Sequence, residues 1–422
     1  MMPAAYPPDL DLDPAGGHRP LAVVLLSPLA FALVFASWTI FAVLGVELKG
    51  VLGFGEARFA VLLAMPMAVG GLASLPMAAL ARRVGGRRVM IACLLLICPF
   101  LWGLSHASDY LHLLLMGAGL GLGAGSLPAG LVHVAGLCPR RHAGLALGLY
   151  GAGMAGAGLS YLLLPLVSQA YGWRAAPLLY LLPVLAVAAL LWLFSDDQVA
   201  EAPAPGGRPA AGMLRQLASW ELWRLAVVYS FFYGAFLALA LWLPAYLGAQ
   251  YALPLKQAAL TAVPFVLAVG GGQVIGGAWA DRRDFRALRW WVSAFVLVCL
   301  FLLSYPPFVM RVEGVHAPIA LRYEAPLWGF LLLLTAMGAA MGVGKGSLMR
   351  LIHREHRDQM PLVGGLAMTL GGLFAALLPL VFVVGSEWIG IRTVGFMFLY
   401  GSLVACMLLM VWDHASGRGR RA

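Results

Sequence analysis

The chain has 422 residues, of which 62% are hydrophobic and only 11% charged, against about 25% charged in an ordinary water-soluble domain. A chain this apolar is solvated by lipid, and its length is taken up by apolar runs of about 20 residues, enough to cross the hydrocarbon core, with no large extramembrane domain left over. The formal net charge of +10 follows from Lys and Arg gathering on one membrane face, so it does not call for nucleic acid as a partner.

In chain order, residues 1–19 carry Pro and Asp and lack a basic segment followed by a short apolar core; they read as a disordered cytoplasmic tail rather than a signal peptide. Six spans follow near 21–46, 57–80, 88–106, 109–137, 142–168 and 174–195. Glu201 to Gly212 is rich in Pro, Gly and Ala and reads as part of a flexible linker, 197–219. Six more spans lie near 222–247, 256–280, 289–308, 325–352, 360–385 and 391–412, and a basic tail closes the chain at 414–422. The expected architecture is all-α and integral to the membrane: about twelve transmembrane helices in two six-helix bundles, 20–196 and 220–413.

Arginines mark one set of loops and both tails, among them Arg82, Arg83, Arg87, Arg88, Arg140, Arg141, Arg282, Arg283, Arg350, Arg354 and Arg357. The opposite loops hold only Lys49, Arg58, Arg174, Lys256, Arg311, Arg322 and Arg392. That asymmetry predicts both termini in the cytoplasm of a multi-pass protein of the bacterial inner (plasma) membrane, with a specialised internal membrane as the other location. The five cysteines show no CxxC or Cys/His metal spacing and read as small, reduced, apolar residues.

Two spans are dense in small residues: 141–159 (RHAGLALGLYGAGMAGAGL) and 364–379 (GGLAMTLGGLFAALLP). Gly148, Gly151, Gly153 and Gly156 in the first, and Gly364, Gly365, Gly371 and Gly372 in the second, let helix backbones approach closely. The halves also echo each other after their second spans, with AALARRVGGRR at 78–88 and GAWADRR at 277–283. Both resemble the loop motif of the major facilitator superfamily, in which an acid and arginines latch neighbouring helices on the cytoplasmic side. The resemblance implies gating roles for Arg83, Arg87, Arg88, Asp281 and Arg282, with Arg82 standing where the first copy should have its acid.

Phe35 to Lys49 (FASWTIFAVLGVELK), Trp242 to Tyr246 (WLPAY) and the paired glycine helices narrow the resemblance to the nitrate/nitrite porter family, of which this chain looks like a divergent member. That family clasps its anion between one arginine of the second span and one of the eighth, where a guanidinium offers forked donors and a permanent charge. Here Ser74 and Gln273 align with those arginines, and Met154 stands where the family has asparagine. Lys345, in the tenth span, replaces a neutral residue. It has two positions open to it: supplying positive potential to a polar cavity, or snorkelling to the cytoplasmic interface beside Arg350. Tyr233 and Phe236 match the aromatic wall of the family's seventh span, though unselected aromatics more often simply pack. His133 reads as a structural, hydrogen-bonded histidine. Arg350, His353, Arg354, His356 and Arg357 read as a solvated loop.

The resemblance implies a monomeric secondary transporter that moves a small inorganic anion by alternating access, with an altered substrate pocket. The lack of Asp or Glu deep within a span favours exchange or facilitated movement over carboxylate-mediated proton symport. A second reading changes the cargo to iron or copper, as in related magnetosome membrane carriers, and rests on methionines such as Met65, Met67, Met77, Met154, Met337 and Met341. A third is a non-transporting membrane sensor or scaffold. No nucleophile–base set, nucleotide loop or metal-ligand cluster is visible, so the sequence points to no enzyme, no resident metal and no cofactor.

Overall fold

The computed structural model describes residues 19–137, 142–195, 220–282, 286–313, 318–355 and 360–415. The tail at 1–18, the whole linker 197–219, Arg140, Arg141, Arg283, His356, Arg357 and the basic segment from 416 onward lie outside the described residues. Among the described residues, eleven helices are long and apolar enough to cross a membrane, and a shorter apolar helix makes twelve.

The first half holds α1 (Val23–Leu52), α2 (Glu56–Val84), α3 (Gly86–Ser105), α4 (Tyr110–Gly136), α5 (Ala143–Tyr171) and α6 (Trp173–Phe194). The second holds α7 (Leu222–Tyr251), α8 (Leu255–Ala280), α9 (Leu288–Leu303), α10 (Leu327–Arg354), α11 (Leu362–Ile389) and α12 (Val394–Trp412). A helix that faces lipid must satisfy every backbone polar group within itself, which is why twelve continuous apolar runs become twelve helices. Several run to 26–30 residues, or about 40–45 Å at 1.5 Å per residue, so they tilt or project beyond the hydrocarbon.

Regular helix gives way where the sequence weakens it. The helix of α1 turns at Thr39–Ile40, where the hydroxyls of Ser37 and Thr39 bond the carbonyls of Leu33 and Phe35. The glycine-rich segments Leu122–Gly125 in α4 and Gly153–Gly156 in α5 tighten to 3₁₀ geometry in mid-helix. At the far end of α11, Val384–Ile389 widens to a π-turn that stops at Gly390, φ 78°. The loop before α4 is capped by Asp109, whose carboxylate accepts the His112 N–H; that bond holds its carboxyl below the usual carboxylate range.

The fold is helical as expected, with one addition: between α9 and α10, strands β1 (Phe308–Glu313) and β2 (Pro318–Tyr323) pair antiparallel, with Phe308 opposite Tyr323. Prolines on both flanks and β-branched residues within (Val309, Val312, Ile319) favour extended backbone over helix there.

The halves meet along two helix pairs, α2 with α11 and α5 with α8. Their separation is set by glycine. A Cβ on Gly277 would lie 2.1 Å from the Gly144 carbonyl oxygen, and one on Gly372 would lie 2.7 Å from the Cα of Gly71. Backbones this close form weak contacts along their length and leave no side chain to unlock when they slide.

Candidate functional site

The end of the molecule that carries Asp281 is closed. The Asp281 carboxylate follows α8 in the second half, yet it accepts the backbone N–H groups of Gly144 and Leu145, each at 2.9 Å, at the start of α5 in the first half. Those N–H groups are among the four that a helix start leaves without intrahelical partners, and the helix dipole adds attraction for the carboxylate. Arg350 Nε completes the cluster 2.7 Å from Asp281 Oδ1, with both side chains largely buried. Arg350 is thus part of an inter-half latch and His353, 3% exposed and 3.2 Å from an Arg350 guanidinium nitrogen, belongs to α10, which corrects their reading as a solvated loop. Arg83, Arg88 and Arg282 are exposed at this end. Arg87 stays within the first half, donating to the Ser195 carbonyl and covering the Trp192 ring. His133 is buried and bonds Ser195 Oγ at 2.8 Å. Replacing Asp281 with asparagine should remove the charge from all three contacts. Charge-assisted bonds contribute about 1.5–3 kcal/mol each, so the expected result is a lower unfolding temperature and faster hydrogen exchange at the Gly144 and Leu145 amides.

The opposite end is open. A cavity of about 440 Å³ lies between the halves, bounded by Lys49 and Glu56 of the first and by Arg392 of the second. Phe59, Trp242 and Phe382 also line it. The Trp242 ring stacks on Phe382 at 5.1 Å and lies 5.8 Å from Phe59, so aromatic groups of both halves meet beneath the cavity. Phe236 lies about 9 Å further along α7 and stacks on Phe35 of α1 at 5.8 Å, again across the halves.

Six of the residues singled out in the sequence, Ser74, Met154, Tyr233, Phe236, Gln273 and Lys345, are buried within the helices. Lys345 is 0% exposed. Its Nζ sits 2.6 Å from Met154 Sδ, on the other half, and 5.6 and 5.1 Å from the ring centres of Tyr233 and Phe236. Of the two positions open to Lys345, the structure shows the interior one. A thioether is a weak acceptor and a ring face offers only quadrupole attraction, so neither replaces an anion. Gln273 is 1% exposed, and its buried Oε1 has no hydrogen-bond partner among the described residues. Its amide nitrogen occupies the place a Gly151 side chain would need, 1.8 Å from where that Cβ would be. Gly151 and Met154 are one turn apart on α5, so Gln273 and Lys345 reach the same face of that helix. Ser74 is the exception: its hydroxyl donates to the Gly70 carbonyl of its own helix at 2.8 Å.

The glycines divide by partner. Gly148 and Gly151 face Gln273 of α8, while Gly153 and Gly156 pack on α1. Gly364, Gly365 and Gly372 face α4 and α2 of the first half, and Gly371 packs on α7. Two contacts across the halves, and one within the second half, had no signal in the sequence. Tyr161 donates to the Ala240 carbonyl and Thr369 Oγ1 donates to the Gly71 carbonyl at 2.8 Å, both across the halves, and Arg350 joins Asp281 within the second half. Each partner lies far away in the chain, and a span offers many hydroxyls of equal standing.

Two glycine-lined helix pairs, twelve spans and a latch at one end only are the anatomy of an alternating-access carrier. The sequence profile of the Major Facilitator Superfamily matches residues 26–354. The chain belongs to the major facilitator superfamily. Among the curated relatives of this facilitator, "Probable nitrate/nitrite antiporter NarK1" of Thermus thermophilus is 29% identical, over 93% of this chain and 91% of that protein. "Nitrite extrusion protein" of Bacillus subtilis is 25% identical, over 92% and 93%. "Probable nitrate transporter NarT" of Staphylococcus aureus is 24% identical, over 92% and 94%. Two solved structures share the fold. A bacterial homologue of the human lysosomal transporter Spinster, inward-facing and occupied, superposes with TM-score 0.60 at 17% identity, covering 93% of this chain and 95% of that one. The human organic anion transporter MFSD10 superposes with TM-score 0.65 at 18% identity, covering 92% and 99%. This facilitator is therefore a multi-pass membrane transporter and not an enzyme. A metal cargo is not favoured: the relatives named above are nitrate or nitrite carriers, and the Lys345 ammonium occupies the thioether of Met154 that a metal cation would use.

Proposed function

We propose that this facilitator is a secondary transporter that exchanges small inorganic monoanions of the nitrate and nitrite class between two bundles, 20–196 and 220–413. The observation that carries the reading is Lys345: a lysine side chain wholly inside the protein, whose amine meets, among the described residues, a thioether and two ring faces and no carboxylate. Burying a cation without a counter-ion costs several kcal/mol, and an anion between the halves removes that cost. Gln273, also buried, packs against Gly151, one turn along α5 from the Met154 that Lys345 meets. The names of the relatives support the class of cargo.

In this reading the pocket has exchanged the forked guanidinium clamp of nitrate/nitrite porters for a single point charge. Lys345 holds the anion, Tyr233 and Phe236 wall it, and Met154 receives the ammonium when the site is empty. Ser74 contributes packing on the first-half wall. The Asp281 latch and the Trp242 lid open in alternation, which makes the present form the one that faces the end opposite the termini. Arginine asymmetry places the latch and both termini in the cytoplasm, and the transporter acts as a monomer in the bacterial inner membrane.

A ligand-stabilisation screen of the purified protein tests this directly. Nitrate and nitrite should raise the unfolding temperature in a saturable way, by the linkage of binding to stability, while divalent metals should not. Stabilisation by divalent metals and by no anion would overturn the proposal.

A further inference from the structure

Nitrate and nitrite present only acceptors. The Lys345 ammonium can meet them, but the Gln273 side-chain carbonyl cannot, since Oε1 is itself an acceptor, and it has no partner among the described residues. The backbone around Gln273 is clamped. A Cβ on Gly346 would lie 2.1 Å from the Gln273 carbonyl oxygen, one on Gly342 2.9 Å from its backbone nitrogen, and one on Gly148 2.7 Å from that same carbonyl oxygen. The side chain lies opposite Gly151 with its amide nitrogen nearest that glycine, and its Oε1 has no donor among the described residues. A buried acceptor without a donor costs about 1–3 kcal/mol. A lysine and an amide oxygen that reach neighbouring turns of α5 suit a ligand that carries both a negative oxygen and an O–H.

Resting on the anion-site reading above, we infer that this pocket selects a planar monoanion bearing its own O–H donor, of the hydrogencarbonate class, over nitrate and nitrite. The ionised edge of such an anion accepts from Lys345 Nζ, its hydroxyl donates to Gln273 Oε1, and its flat face lies against Tyr233 and Phe236. Sites built to pair a ligand hydroxyl discriminate strongly against analogues that lack it, because the site's own polar group is then stranded. The missing arginine fork fits the same picture: two forked donor pairs would suit a fully deprotonated oxyanion, whereas one ammonium and one carbonyl suit a half-protonated one.

The test is a titration of thermal stabilisation of the full chain with sodium hydrogencarbonate, formate, nitrate and nitrite at pH 8 and constant ionic strength. Formate supplies the planar carboxylate edge without the O–H. Hydrogencarbonate should half-saturate at a concentration at least about tenfold below the other three. In Gln273→Met, which keeps the length and removes the acceptor, that preference should fall to within about twofold while nitrate binding changes little. Nitrate or nitrite binding as tightly as hydrogencarbonate in the wild type would overturn the inference and leave the anion-site reading standing. The wild-type ranking decides this even where the variant does not fold. A preference that survives in Gln273→Met would overturn the role given to Gln273. No stabilisation by any of the four would overturn the anion-site reading itself.

Discussion

Lys345→Met is expected to yield a protein that is more stable when empty and unresponsive to anions. The wild-type ammonium is fully buried and meets no carboxylate among the described residues, only Met154, Tyr233 and Phe236. Methionine has similar length and no charge, and replacing buried ionic groups by apolar ones of like volume is neutral or stabilising by about 1–4 kcal/mol. The same change removes the charge that holds the anion. Losing one partner of a buried charged contact costs about 2–5 kcal/mol, which is a loss of affinity of about 30-fold or more. Differential scanning of both proteins, with and without nitrite, checks the two effects together. A purely structural lysine would give the opposite pattern, lower stability with the anion response intact. Lys345→Arg keeps the charge but spreads it over a planar fork, so anion binding should persist in altered order of preference.

Gly277→Val should hold the latch end apart. The first carbon of the new side chain would lie 2.1 Å from the Gly144 carbonyl oxygen and 3.3 Å from the Gly148 Cα, all backbone that cannot rotate away. The closed form then loses the two N–H bonds to Asp281, and overpacking of this kind costs about 1–3 kcal/mol. Exchange across the membrane is expected to fall about tenfold or more, and the Gly144 and Leu145 amides to lose their protection from hydrogen exchange. Gly271→Val is the control on the same helix, because a Cβ there meets nothing within 4 Å and transport should be unchanged. Equal transport in the Gly277 and Gly271 variants would show that closure at this end does not depend on glycine contact.

The spans were legible because lipid leaves a chain so few choices: a run of about 20 apolar residues must be a helix, and twelve of them must pack on one another. The glycines of α5 and α11 were legible as contact surfaces for the same reason, though not their division between partners, since Gly371 and Gly372 are adjacent and face different helices. Depth was harder. Lys345 could be placed inside or at the interface from sequence; what settles it is the approach of Gly342 and Gly346 to the α8 backbone, which shuts the lysine in. Arg350 read as one more loop arginine because its partner Asp281 lies on another span of the same half. The pairing of Lys345 with Met154 joins residues 191 apart in the chain and has no sequence signal at all. The β1–β2 hairpin was missed because its alternation is only six residues long on each side and sits between two strong helices.

Counterflow in proteoliposomes is the most direct measurement of whether Lys345 and the space beside it carry an anion between the halves. Vesicles loaded with unlabelled nitrite should take up labelled nitrite or nitrate faster than empty-loaded vesicles containing the same wild-type protein, and Lys345→Met vesicles should show no such acceleration. Wild-type uptake no faster than protein-free vesicles for nitrate, nitrite and hydrogencarbonate alike, or acceleration undiminished in Lys345→Met, would contradict the assignment of this site.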